Sequence, residues 1–252
     1  MVRSSAGAST EPWRPPGPDP RDALAPLDRA LREYMEGSID GSLNVVTDDG
    51  GEQELPVALF FRAGRDLLSA DRAALALCRG RVLDVGAGAG ALALPLQAAG
   101  HEVTALEVLP GAAAVLWARG VRDVRLDDLW AFRPDRPYDT VLALMNGTAA
   151  AGTLAGLAPL LGAVAAPLAT GGQVLMDSTD MREEGRPSQR PDGRYVGELQ
   201  YQLEYEGERG PPFPQLFVDS ERLIHAADVA GLLAEIVWHG EEGKFLVRLV
   251  RT

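Results

Sequence analysis

Cysteine is almost absent from this chain of 252 residues, and Cys78 stands alone. One thiol cannot close an internal disulfide or build a multi-cysteine metal site, and its place in the apolar run LALC reads as core in a reducing compartment. Histidine is scarce too. His101, His225 and His239 are too scattered for a metal centre, so no metal is expected. The third shortage is positive charge: 24 Lys and Arg stand against 36 Asp and Glu, the formal net charge is -12, and no basic cluster stands out. Such a surface repels phosphate backbones, which argues against a nucleic-acid partner. The first 22 residues lack an apolar h-region and carry Pro12, Pro15, Pro16, Pro18 and Pro20, so they read as a disordered leader on a cytoplasmic protein rather than a signal peptide. Residues 140–176 lack charge and are long enough to span a bilayer, but Asn146, Gly147, Gly152, Pro159, Pro167, Gly171 and Gly172 interrupt them. A buried strand, helix, strand passage explains them better, and no membrane partner is expected.

An apolar fraction of 46% with 24% charged residues is ordinary for a folded chain of about one domain. Leu24, Leu27, Leu31 and Met35 recur at helical steps before Gly37, which predicts an amphipathic helix. A turn follows at DDGG (48–51), then an apolar segment at Val57–Phe61 that reads equally as strand or docking loop, and a helix from about Arg65 to Cys78. Residues 23–78 thus form a cap or lid ahead of a main domain at 79–252. There the pattern alternates: strands at 82–85, 102–107, 121–126, 138–145 and 172–177, with helices between them, predict a parallel sheet covered on both faces. In the tail, Leu199, Tyr201, Leu203 and Tyr205 alternate with polar residues, and with 214–218 they predict an antiparallel hairpin inserted at 196–218, which like the cap is a candidate substrate lid. A helix from Ser220 to about Leu233 and two strands, 235–239 and 244–250, complete the chain.

The chemistry concentrates at VLDVGAGAG (82–90). A buried strand running into Gly86, Gly88 and Gly90 turns sharply and brings backbone amides, here also that of Ala87, close to a ligand before a helix N-terminus. Glu107 closes the next strand, where a carboxylate accepts hydrogen bonds from both hydroxyls of a ribose. Dinucleotide turns read G-x-G-x-x-G; this one reads G-x-G-x-G and follows the acidic Asp84. Negative charge beside the turn disfavours a diphosphate and suits a ligand carrying an ammonium and a sulfonium, which is S-adenosylmethionine.

With these residues in place, segment 79–177 resembles the class I S-adenosylmethionine-dependent methyltransferases. The likeness lies in the glycine motif, the ribose acid, the acidic pair Asp127 and Asp128, and ATGGQVLMD at the fifth strand. LALMNGTAAAGTLAGL, DST and YVGELQYQLEYEG look like a poorly characterised bacterial branch of that family. The resemblance implies an α/β, Rossmann-like, doubly wound and mainly parallel seven-stranded sheet with an N-terminal cap and the hairpin insertion. It implies that Asp84, Gly86, Ala87, Gly88 and Gly90 hold the methionine end, Glu107 and Val108 the ribose, and Asp127 or Asp128 with Leu129 the adenine, Asp128 being favoured. Glu107 departs from the more usual Asp, and Thr170 from a common Pro.

Asn146, at the end of the fourth strand, either positions the acceptor, contacts the methionine group, or makes a plain turn. Asp177, Ser178 and Asp180 share that rim, where orienting or deprotonating an acceptor competes with capping. Tyr34, Phe60, Phe61 and Arg62 in the cap, and Tyr195 near the hairpin, either wall a substrate pocket or simply pack. Methyl transfer is an in-line displacement that asks the protein to align, exclude water and, for some acceptors, remove a proton. The expected acceptor is a small molecule or peptide, methylated at oxygen or nitrogen; a dimer remains open. A non-catalytic subunit on the same fold and a nicotinamide-dependent oxidoreductase are the rival readings.

Overall fold

The computed structural model describes residues 13–252. The chain opens with α1 (Pro20–Ala23), α2 (Ala25–Met35), a hairpin of β1 (Ser42–Thr47) and β2 (Glu52–Pro56), 3-10 turns at Val57–Phe61 and Gly64–Asp66, and α3 (Ser69–Leu77). Alternation follows through β3 (Arg81–Val85), α4 (Ala93–Ala98), β4 (Glu102–Glu107), α5 (Pro110–Ala118), β5 (Asp123–Leu126), β6 (Tyr138–Ala143), α6 (Leu154–Ala165) and β7 (Leu168–Thr179). The tail holds β8 (Glu198–Tyr205), β9 (Glu208–Arg209), β10 (Phe213–Leu216), α7 (Ser220–Val229), β11 (Leu232–His239) and β12 (Lys244–Arg251).

Seven strands form the main sheet in the order β11-β12-β7-β6-β3-β4-β5, and β12 alone runs against its neighbours. The period of two along each strand feeds two cores. Leu83, Val141, Val174 and Met176 pack with α6 and α7 on one face; Val82, Leu142, Leu175 and Leu246 pack with α3, α4 and α5 on the other. The uncharged interval 140–176 is the expected strand, helix, strand passage. Among the described residues no helix is long and apolar enough to cross a membrane.

A second, antiparallel sheet runs β10-β8-β1-β2, with β9 on β8. Here the structure departs from the reading of a cap and a separate hairpin: β1 pairs with β8, Val45 opposite Leu203, so both segments make one roof. Leu43 and Val45 share the buried face with Leu199 and Leu203. Glu52, Gln53 and Glu54 line the exposed edge strand, a polar edge that resists further pairing. Val57–Phe61 is a 3-10 turn rather than a strand. The second helix starts at Ser69, not Arg65, where the Asp71 carboxylate reaches back to accept the Leu68 N–H at 2.8 Å. The roof sits on the main domain through α2, whose Asp28 accepts the Ala112 N–H at the start of α5 at 2.9 Å.

Of the leader expected to be disordered, residues 1–12 lie outside the described residues. Residues 13–22 instead pack on the domain: Trp13 meets Trp130 with ring centroids 5.0 Å apart, Arg14 pairs with Asp128, and Asp19 caps α1. Prolines that make a segment look unfoldable also reduce the entropy lost when it docks.

Candidate active site

The chain reverses its direction across the main sheet between β3 and β6, and open α/β sheets leave a crevice at that point, outside the carboxyl ends of the strands. The roof and α2 close this crevice into a chamber of about 410 Å³. An adjoining space of about 280 Å³ shares Gly86, Val108 and Leu129 with it, is walled by Pro15 and Pro16, and carries Asp127 and Asp128.

Asp84 sits in β3 at the chamber floor, 3% exposed, and its Oδ2 has no hydrogen-bond partner among the described residues. Burial pushes its carboxyl up to about 7; the charge of Glu107 adds to the rise and Arg62 opposes it. An orphaned buried carboxylate costs free energy until a cation or donor meets it, so this position fits an ammonium. Beyond it Gly86, Gly88 and Gly90 have φ of +69°, +56° and +85°, a region closed to most L-residues. Gly86, Ala87 and Gly88 line the chamber, whereas Gly90 packs against Leu116 and Val121. Helix α4 begins only at Ala93 and is six residues long, so turns, not a helix N-terminus, follow the glycines.

Glu107 is buried. Its Oε2 accepts the Gly88 N–H at 2.8 Å, and Oε1 accepts those of Val108 and Leu109 at 2.8 and 3.0 Å. Burial raises its pKa and these three bonds oppose the rise. A carboxylate has about four acceptor positions. One is left, on Oε2, so a ribose diol finds a single free place rather than the two expected. Asp127 accepts the Asp128 N–H at 2.8 Å, and Asp128 accepts that of Trp130 at 3.0 Å while pairing with Arg14 through its other oxygen. The favoured adenine acid is thus already engaged by the leader.

After β6, Met145 and Asn146 adopt φ of +63° and +62°, consecutive left-handed non-glycine residues that store strain. The turn is held from two sides. Asn146 Nδ2 donates to Leu216 O at 3.1 Å and Asn146 Oδ1 accepts from Thr148 at 2.9 Å; Asp177 accepts the Gly147 N–H at 2.9 Å. Asn146 lines the chamber, but its carboxamide is tied back to β10. Asp177 lies beneath the turn and outside the chamber lining, its carboxyl pushed up to about 6 by burial. Ser178 and Tyr195 are also buried elsewhere, Ser178 bonded to Thr148 and the Val218 N–H, and Tyr195 donating to Asp219 at 2.8 Å. Tyr34 and Phe61 stack on each other at 4.2 Å within the cap, leaving Phe60 and Arg62 as the cap residues of that group that reach the chamber. Six further residues of the cap and hairpin segments, none of them among the expected site residues, line the chamber: Leu43, Val45, Tyr201, Leu203, Gln215 and Phe217. The alternation at 199–205 marked the face that carries Leu203 without showing that β1 meets it.

No family model and no curated protein matches the chain. Solved structures do. An S-adenosylmethionine-dependent methyltransferase of Bacteroides fragilis, crystallised with S-adenosyl-L-homocysteine, is 32% identical over 94% of this chain and 98% of that one, with a TM-score of 0.82. The CcbJ methyltransferase of Streptomyces caelestis is 13% identical over 73% of this chain and 89% of its own, with a TM-score of 0.56. An S-adenosylmethionine-dependent methyltransferase of Clostridium acetobutylicum is 11% identical over 74% and 93%, with a TM-score of 0.58. These last two share the fold alone. Identity along nearly the whole length of the first sets the oxidoreductase and non-catalytic readings aside: the chain belongs to the S-adenosylmethionine-dependent methyltransferases, is an enzyme, and uses S-adenosylmethionine as its cofactor.

Proposed function

We propose that the enzyme methylates an oxygen or nitrogen of a small-molecule acceptor held under the second sheet. The observation that carries this reading is the roofed chamber itself: about 410 Å³, walled by α2 and both sheets and mainly apolar. Small-molecule sites span roughly 300–1,000 Å³ and share this character. When bound, the cofactor supplies a methyl group on a sulfonium whose leaving group is a neutral thioether.

The residues then divide the work. Asp84 and the turn 86–88 hold the methionine end, Oε2 of Glu107 takes one ribose hydroxyl beside Val108, and Asp127, Asp128 and Leu129 flank the adenine. The strained turn 145–147 shapes the wall between cofactor and acceptor, with Asp177 acting on it from below as a positioning residue. Leu43, Val45 and Leu203 exclude water, which strengthens every charge interaction inside. Burial pushes the Tyr201 phenol up, so it stays protonated and orients an acceptor as a donor rather than as a base.

Filling the roof tests this. Leu203→Trp should leave S-adenosylhomocysteine affinity within about threefold by calorimetry, yet remove turnover of small amines and phenols, read as S-adenosylhomocysteine released. Methylation of a protein or RNA that Leu203→Trp does not diminish would overturn the proposal.

A further inference from the structure

Among the described residues that line the chamber, Arg62, Asp84 and Glu107 carry a charge, and none of them belongs to the second sheet. Arg62 forms a bidentate pair with Asp71 at 2.6 and 2.9 Å, Glu107 accepts three backbone N–H groups, and Asp84 is buried in β3. The face that the roof presents to the chamber is therefore uncharged. Burial pushes the Tyr201 phenol up, so it adds no ionised group there. An ammonium or a carboxylate brought under this roof loses its water without gaining a counter-ion, which is costly.

What the roof presents instead is aromatic. Register sets Phe213 of β10 opposite Tyr201 of β8, and alternation along the chain brings Gln215 and Phe217 to the same face. The Tyr201 ring lies 6.4 Å from that of Phe213, edge-on, and 5.9 Å from that of Phe217, tilted. All three rings are half-buried while Leu199 and Leu203 beside them are buried, so ring surface is left open. Two polar groups sit among the rings. The Tyr201 hydroxyl and the Gln215 carboxamide bond to no described residue, and neither is sealed from a ligand. Phe213 and Gln215 also border the adjoining space that carries Asp127 and Asp128, so this end of the roof lies beside the cofactor. Aromatic side chains gain most from a second ring held edge-on or offset, and a hydroxyl with a carboxamide supplies both donors and acceptors. We propose that the acceptor is an uncharged aromatic molecule, its ring packed on Tyr201, Phe213 and Phe217 and its polar group bonded to the Tyr201 hydroxyl and the Gln215 carboxamide. This deepens the reading of an acceptor held under the second sheet and rests on it. Aliphatic amines, which are cations near neutral pH, are selected against.

The test measures, by calorimetry, the binding of three probes to the enzyme saturated with S-adenosylhomocysteine. They are 2-naphthol; decahydro-2-naphthol, which keeps the hydroxyl on a saturated frame; and 2-naphthylmethylamine, which keeps the rings and is an ammonium at neutral pH. The first should bind at least about tenfold more tightly than either of the others. Phe217→Leu should weaken 2-naphthol about fivefold and leave decahydro-2-naphthol within about twofold, a difference that a mere packing defect would not produce. Tyr201→Phe and Gln215→Leu should each weaken 2-naphthol about three- to tenfold. Equal or tighter binding of the ammonium overturns the inference on charge, equal binding of the saturated alcohol overturns it on aromaticity, and no binding of 2-naphthol overturns it outright. Leu203→Trp separates this inference from the reading beneath it. Probes that Leu203→Trp displaces but that show the wrong preference sink the inference alone, whereas probe binding untouched by Leu203→Trp sinks the placement of the acceptor under the roof.

Discussion

At the scale of single residues, the site is a set of polar atoms whose partners are counted one by one. Glu107 satisfies three backbone N–H groups and keeps one acceptor position, so Glu107→Ala removes both functions. Each unsatisfied buried group costs roughly 1–3 kcal/mol. The expected result is a less stable protein with no measurable S-adenosylhomocysteine binding by calorimetry, and unchanged affinity would refute the role. Gly147 is constrained differently: a Cβ there would lie 2.0 Å from Ala143 O, a backbone atom that cannot swing away. Gly147→Ala should therefore displace the turn, cost more than about 2 kcal/mol in urea unfolding, and lower turnover at least tenfold. Both sites were legible in the sequence to different degrees. The glycines and Glu107 announce themselves because their chemistry is local, a turn and the strand end beside it. Arg62 is legible as a candidate wall residue, but its pairing is not, because that joins Asp71 of another element and Met145 of the strained turn. Asp177, Ser178 and Tyr195 are polar residues near strand ends, and nothing in the sequence separates a side chain facing a cavity from one bonded beneath a turn.

Among elements, the alternating run from β3 to β7 was readable because its central strands β3, β4 and β6 are apolar and buried and each helix separates neighbours in the sheet. The roof was readable only in part: the hairpin of β8 with β10 was, but its union with β1 was not, since β1 is six residues long and β8 lies far along the chain. The DDGG turn reveals how the two are tied. Asp48 accepts the Gln200 N–H at 3.0 Å and pairs with Arg190 and Arg194 at 3.1 and 2.5 Å. Burial would raise its carboxyl, but the Gln200 N–H and the two guanidiniums outweigh that and hold it at about 2. Asp48→Ala should loosen the roof alone, at a cost of about 1–2 kcal/mol. Hydrogen exchange should rise across 42–56 and 198–205 while β3, β6 and β7 stay protected, and the acceptor KM should rise with S-adenosylhomocysteine affinity unchanged. Equal loss of protection in the core strands would show that the roof is not a separable unit.

For the whole molecule, net charge and buried carboxylates together set the response to pH. Asp84 and Asp177 titrate at about 7 and about 6 in the folded chain, against about 4 for an exposed Asp. Between those values the folded chain keeps protons that the unfolded chain has released, so the stabilisation present below pH 4 is lost as the pH rises through 6 and 7. For Asp84 the difference is on the order of 4 kcal/mol. Asp48, held at about 2, acts in the opposite sense: its contribution is present above pH 4 and lost as the pH falls toward 2. Ligand-free stability should accordingly peak near pH 4–5. Repulsion within a chain of net charge -12 also grows with pH, so the separate part played by Asp84 needs a variant. Asp84→Asn should flatten the decline of Tm between pH 5 and 8. Cofactor reverses the preference, because an ammonium beside Asp84 favours the ionised form; S-adenosylhomocysteine should bind about tenfold more weakly for each pH unit below 7, and Asp84→Asn should remove that slope. A ligand-free Tm that climbs steadily from pH 5 to 8 would mean that Asp84 is ionised before the cofactor arrives, and an affinity left unchanged by Asp84→Asn would mean that its unpaired oxygen is not what draws the ammonium in.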